Sequence, residues 1–394
     1  MNKRPFIILS AFLLLFSLIE KGQATETYRP ETSVAGFIQL PGSGRQVYNF
    51  NPGWRFFRGD VQGAEAVNFD DRSWNVVSTP HTVELMPAEG SGCRNYQGPA
   101  WYRKHFVLPA ETKGQRVVLH FEAAMGKQIL YLNGKRIQEH LGGYLPFTLD
   151  LTANGVQAGD SCLLAVFTDN SDDKSYPPGK RQYTLDFAYH GGIYRDVWMI
   201  AKSPVAITDA IDSQTVGGGG VFVHFDKISE KSAQVYVNTE VQNDDARSES
   251  VTVETTLTDA DGKVIKRSSG KLSLKPGEKK SIRQQMEVKN PTLWSPDTPY
   301  LYRVQSRIKK GNKSIDGGIT RVGIRLAEFR GKDGFWLNGK PFGQLVGANR
   351  HQDFAYVGNA LPNSQQWRDA KRLRDAGCTI IRVAHYPQDP AFMD

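Results

Sequence analysis

From about Tyr48 to Ser203 hydrophobic and polar residues alternate with period two in short runs, the pattern of half-buried strands. Val117, Leu119 and Phe121 interleave with Val118, His120 and Glu122, and Ile129-Leu130-Tyr131-Leu132 runs into Asn133-Gly134, a pair that supplies the positive φ angles of a tight hairpin turn. Leu163 to Phe167 reads as another strand. Trp54, Phe56, Trp74, Trp101 and Phe106 supply bulk for a core between sheets, so residues 25–203 are expected to form a jelly-roll β-sandwich.

After Pro204 the alternation continues in a smaller, more polar set. Val235, Val237, Thr239 and Val241 alternate, as do Val251, Val253, Thr255 and Leu257, with Leu272, Leu274 and Ile282 continuing the inward face. Asp261-Gly262 and Pro276-Gly277 mark turns, and Gly217 to Gly220 opens the region as a loop. Residues 204–326 therefore read as an immunoglobulin-like β-sandwich, without paired cysteines. Arg321-Val322-Gly323-Ile324-Arg325 leads out of it.

Beyond residue 327 the period changes. Phe335 to Phe342 reads as a hairpin turning at Asn338-Gly339, and a buried strand is expected from Gln344 to Gly347. Asn363 or Ser364 can cap a helix on which Trp367, Ala370, Leu373 and Ala376 recur about once per turn, and Gly377 is placed to end it. The run Thr379 to Ala384 suits a parallel strand covered by helices. Strand, helix, strand is a βαβ unit, and residues 327–394 read as the first strands and helix of an incomplete (β/α)8 barrel. The chain is thus a multidomain, mainly β protein.

Composition adds a leader. Lys3 and Arg4, the apolar stretch Phe6 to Ile19 and Gly22-Gln23-Ala24 have the form of a signal peptide over residues 1–24, implying export to the periplasm or the extracellular space. Fourteen apolar residues are too few to span a bilayer. Without Lys3, Arg4, Lys21 and Glu20 the net charge of +8 falls to about +6, spread along the chain, which argues against a nucleic-acid partner. Cys93, Cys162 and Cys378 lie far apart without CxxC spacing, so free thiols are expected in place of a disulfide framework or a zinc site.

Two blocks carry the candidate chemistry: Gly347-Ala348-Asn349-Arg350-His351 and Arg382-Val383-Ala384-His385-Tyr386-Pro387. Both end predicted parallel strands, where a barrel does its chemistry. With Phe69-Asp70-Asp71 before Trp74, Pro80-His81, Asn133-Gly134, Gly191 to Val197, and Leu293 to Asp297 with Pro299 to Tyr302, they make a chain that resembles glycoside hydrolase family 2 along nearly its whole length. That family contains β-galactosidases, β-glucuronidases and β-mannosidases. The resemblance implies retaining hydrolysis of β-glycosides by two glutamates on later barrel strands, one in an Asn-Glu dipeptide. No Asn-Glu occurs in this sequence, so no catalytic residue is assigned and the chain is expected to be inactive by itself.

By the same resemblance His351 and His385 would hydrogen-bond sugar hydroxyls, Arg382 would hold a carboxylate or the strand-end network, and Asn349 and Arg350 would shape the rim. Asp186 would reach the sugar from the first sandwich. Ala188, where Asn is frequent, and Gln352-Asp353, where an acidic residue often follows, depart from the family pattern. Taken alone, His385 or Asp186 has a structural reading, and Tyr189 and His190 are read as loop packing. The expected partner is a β-linked oligosaccharide or polysaccharide. No cofactor is implied, and a homo-oligomer stays open. The alternative is a non-catalytic exported carbohydrate-binding or interaction module.

Overall fold

The computed structural model describes residues 39–88 and 95–394. The expected leader and Cys93 lie outside these residues. Cys162, buried, and Cys378, partly buried, are free thiols.

The first sandwich packs two antiparallel sheets face to face. One has the strand order Gln46–Asn49, Val197–Lys202, Arg116–Phe121, Phe147–Asp150; the other runs Asn75–Val77, Trp54–Arg58, Pro99–Val107, Ser161–Asp169, Lys127–Leu132, Lys135–Leu141. Period-two alternation puts Trp54, Tyr102, Leu119, Phe121, Leu130 and Leu164 between the sheets, all fully buried. The Asn133-Gly134 turn has φ of 50° and 81°, as a type I′ turn requires. This is the expected jelly roll.

The second sandwich gathers Val205–Ile207, Ser232–Asn243, Val221–Asp226 and Lys279–Lys289 in one sheet and Val264–Leu274, Glu249–Thr258, Tyr302–Lys310 and Lys313–Val322 in the other. Val235, Val237, Val241, Val253 and Leu257 face inward as their alternation predicts. Arg45 of the first sandwich forms a two-pronged ion pair with Asp316 of the second, whose carboxylate also accepts from the Ile207 backbone N–H.

The last segment departs from expectation in burial. The hairpin Phe335–Leu337 and Lys340–Pro341 turns at Asn338-Gly339 as read, but the parallel strand begins at Gly347 and is exposed, as is most of its neighbour Ile380–Arg382. The helix Asn363–Asp375 buries only Gln366, while Trp367 and Ile380 are 39% and 43% exposed. Gly377 closes it with φ of 87°. Neither Asn363 nor Ser364 caps the other end. Pro362 takes that position and has no side-chain group to cap with, and Asn363, already the first helical residue, instead donates its amide N–H to Asp196 of the first sandwich at 2.8 Å.

Candidate active-site rim

Gly347–Asn349 and Ile380–Arg382 run parallel in the register Gly347 to Ile380, Ala348 to Ile381 and Asn349 to Arg382. Asn349 and Arg382 are therefore side by side, exposed, with an Arg382 Nη1 to Asn349 Oδ1 contact of 3.5 Å. The next backbone bond, from Arg350 N–H to Arg382 C=O at 2.9 Å, carries the pairing to the strand end. There the two blocks present His351 and His385, whose rings meet edge to face at 5.4 Å.

Tyr386 fixes the histidines from below. It is buried, its ring stacks on Tyr144 of the first sandwich at 4.4 Å and 7°, and its hydroxyl accepts from the Gln352 backbone N–H and lies 3.3 Å from His351 Nδ1. Burial raises the Tyr386 hydroxyl pKa, so it remains a neutral donor. From the side comes Phe187, stacked on His351 at 5.1 Å and 23° and also touching the rings of His385 and Tyr386.

The loop carrying Phe187 brings Asp186 to the same place. Asp186 and His385 line one open cavity of about 590 Å³, walled by Tyr144, Tyr386 and Pro387 and by Pro177 and Pro178 of the loop. Burial pushes the His351 imidazole pKa down, and the neighbouring His385 adds to this; Asp353 and Asp186 oppose it. His351 thus favours the neutral ring, which has one donor and one acceptor nitrogen. The rim offers carboxylate, imidazole, amide and guanidinium groups beside an aromatic wall, a set that can grip hydroxyls on one face of a sugar and its apolar face on the other.

Arg350 differs from its expected role. It is 5% exposed, and its guanidinium is spent on Asp369, Gln366 and Gln388 while lying 4.0 Å from the Phe392 ring. It braces the helix against the strand and presents no group to the cavity. Tyr189 and His190 are buried in the loop as read, His190 bonding Asn359 at 3.1 Å. Gly358 is necessary there, since its φ is 52° and a Cβ would come within 2.5 Å of the His190 ring.

Sequence reasoning missed the residue that aligns the rim. Arg195, 2% exposed, donates to the carbonyls of Tyr144 at 3.3 Å and Pro387 at 2.7 Å and to Gln352 Oε1 at 3.0 Å, while its Nε faces Asp389 at 3.8 Å. One side chain of the first sandwich therefore touches the stretch following each of the two blocks. Its neighbour Asp196 bonds Asn51 on one oxygen and Asn363 on the other. Burial raises the Asp196 pKa to about 6, with the Asp389 charge adding and the two amides opposing. A signal existed: Arg-Asp inside the apolar run Ile193 to Ile200 has to be partnered when buried. Among the described residues no group of His, Cys, Asp and Glu is placed to hold a metal ion, and no helix is long and apolar enough to cross a membrane.

Comparison with known families gives the same order of parts. Residues 57–204 match the family 2 glycosyl hydrolase sugar binding domain, 219–325 the family 2 glycosyl hydrolases, and 329–394 the family 2 TIM barrel domain. The chain is similar to a beta-galactosidase of Thermoanaerobacter pseudethanolicus, 34% identical over 89% of this chain and 45% of that one. A beta-glucuronidase of Formosa agariphila is 33% identical over 90% of this chain and 37% of its own length. Among solved structures, Bacteroides uniformis beta-glucuronidase superposes with a TM-score of 0.79 and 32% identity, covering 89% of this chain and 40% of that one. The chain spans less than half the length of these relatives. Two sandwiches in this order, a βαβ segment with both rim blocks, and family matches to all three parts agree: the chain belongs to glycoside hydrolase family 2.

Proposed function

We propose that this chain forms the substrate-holding side of a retaining β-glycoside hydrolase of β-galactosidase-like specificity, acting outside the cytoplasm in carbohydrate metabolism. The observation that carries the reading is the convergence of Asp186, His351 and His385 beside Asn349 and Arg382, four of the five at or just beyond parallel strand ends and one on a loop from another domain. Asp186 and the two histidines take the hydroxyls of the terminal sugar, Arg382 holds the strand-end network with Asn349, and Phe187 and Tyr386 back the histidines. Beta-galactosidases and beta-glucuronidases both stand among the relatives. The Asp186 loop with Arg382-Val383-Ala384-His385-Tyr386-Pro387 supports the galactoside. The retaining mechanism needs two carboxyl groups about 5–5.5 Å apart, and with no Asn-Glu in the sequence we assign neither to this chain.

The test is binding and turnover by the full chain. Saturation-transfer NMR is expected to detect methyl β-galactoside in preference to methyl β-glucuronide, with the signal lost in His385→Ala and Asp186→Ala. Nitrophenyl β-galactoside is expected to stay intact. Preference for the glucuronide would overturn the specificity, binding indifferent to both substitutions would overturn the site, and turnover would overturn the division of labour.

A further inference from the structure

A second cavity borders Tyr144 but not Tyr386. It has a volume of about 380 Å³, and Tyr144 and Pro387 line it as they line the rim cavity. Its walls come from the first sandwich, the second sandwich and the segment after Tyr386. Nothing in the proposed sugar grip uses it.

Four buried polar groups converge on it with bonding capacity to spare. Glu122 is 2% exposed; one carboxyl oxygen accepts from Trp198 Nε1 at 2.9 Å, and the other has no hydrogen-bond partner in the protein. The Tyr144 hydroxyl and Arg195 Nε are likewise buried without a hydrogen bond. Lys202 is 8% exposed, and its ammonium makes one hydrogen bond of 3.4 Å, to the Ile207 carbonyl. Burial without full partnering is costly.

The charges settle the ligand class. Lining the cavity are three cations, Arg45, Arg195 and Lys202, and three carboxylates, Glu122, Asp209 and Asp212. Arg45 is already paired with Asp316, and Asp209 with His120. Arg195 is likewise paired with Asp389, and burial pushes the Glu122 carboxyl toward its neutral form, so no strong surplus of either sign is left for an ion, whereas a molecule with several hydroxyls can bond the unpartnered Glu122 oxygen, Lys202, Arg195 and Tyr144 at once. Ile200, Ile207 and Pro146 add apolar wall, and the volume falls in the range of small-molecule sites. We propose that this interdomain cavity is a second binding site, for an uncharged polyol of monosaccharide size. Its occupant bears on Tyr144 and Arg195, the two residues that set the height of Tyr386 and Pro387 at the rim.

Calorimetry and saturation-transfer NMR of the full chain with D-galactose and D-glucose test it, alongside D-glucuronate. The probes are applied to the His385→Ala, Asp186→Ala double variant, in which the rim is disabled. Retained binding of a neutral sugar, weakened roughly tenfold by adding Glu122→Gln, is the expected result. Ile211→Trp, which fills the mouth from an exposed position without touching the buried groups, is expected to weaken it as well and decides the matter if Glu122→Gln fails to fold. Absence of binding in the rim-disabled chain, indifference to Ile211→Trp, or tighter binding of glucuronate than of either neutral sugar would each overturn the proposal.

Discussion

The first sandwich and the segment after residue 329 are held by opposite means. In the sandwich, Trp54, Tyr102, Phe121 and Leu119 are buried in one another, and polar groups serve them at the margins. In the later segment Phe329, Val346, Ile380 and Val383 are exposed, while the groups most deeply buried include Arg350, Gln352, Gln366, Gln388 and Asp389. Apolar packing is non-directional and tolerant of small shifts; buried hydrogen-bonded charge is directional and fails abruptly when one partner goes. The rim geometry therefore depends on a few polar residues, of which Arg195 has the widest reach.

The polar clamp of the later segment depends most heavily on Arg195. Arg195→Met removes the bonds to Tyr144, Gln352 and Pro387 and takes from the buried Asp389 one of the two cations, with Arg350, that favour its charged form, a loss of about 3–5 kcal/mol of docking by analogy with other broken buried pairs. Hydrogen exchange is expected to speed up in Gly347–Asn349 and Ile380–Arg382 while Arg116–Phe121 keeps its protection. If both regions lose protection together, the two are one cooperative unit and the contrast fails.

Acidity sharpens the same contrast with a smaller effect. Asp196 has its pKa raised from 3.8 to about 6 by burial, so its stabilising contribution is fully present below about pH 4 and is lost as pH rises through about 6. The shift corresponds to roughly 3 kcal/mol at most. Asp196→Asn, which keeps one acceptor for an amide, is expected to flatten the loss of protection of Asn363–Asp375 between pH 5 and 7, read by exchange after correction for intrinsic rates. His81 acts with the other sign within the sandwich. Burial lowers its pKa to about 4, so its contribution is present above about pH 6.5 and lost as pH falls through about 4. An unchanged pH slope in Asp196→Asn would remove Asp196 from the clamp.

How far the sequence announced this depends on the physics of each part. Both sandwiches were legible because alternation is a local consequence of pleating: Val117, Leu119 and Phe121 face inward whatever lies far away in the chain. The rim blocks were legible as strand ends, and His351, His385 and Asp186 do come together. Arg350 was misread because adjacency to His351 says nothing about direction; the residue turns back to Asp369 and Gln366, sixteen to nineteen positions on. Asn363 was misread for the reverse reason. The helix begins at Asn363 itself, with Pro362 before it, and the Asn363 amide bonds a partner 167 positions away. Long-range polar pairing leaves little periodic trace, so Arg195 showed only as a charge inside an apolar run, with no sign of its partners, and Tyr144 not at all, while the strands carrying the core were plain.

The smallest expected effect tests the other half of the contrast. Val346 is 54% exposed just before the parallel strand, and its backbone, not its side chain, pairs with Thr379. If polar clamps and backbone pairing hold this segment, Val346→Thr is expected to change its stability by no more than about 0.5 kcal/mol, the usual range for exposed positions, with a β-branched shape retained for the strand. Chemical denaturation followed by exchange in Gly347–Asn349 measures this directly. A loss of 1 kcal/mol or more, at the scale of a buried methyl group, would mean that the Val346 side chain is covered in solution, and that apolar packing holds this segment as it holds the sandwich.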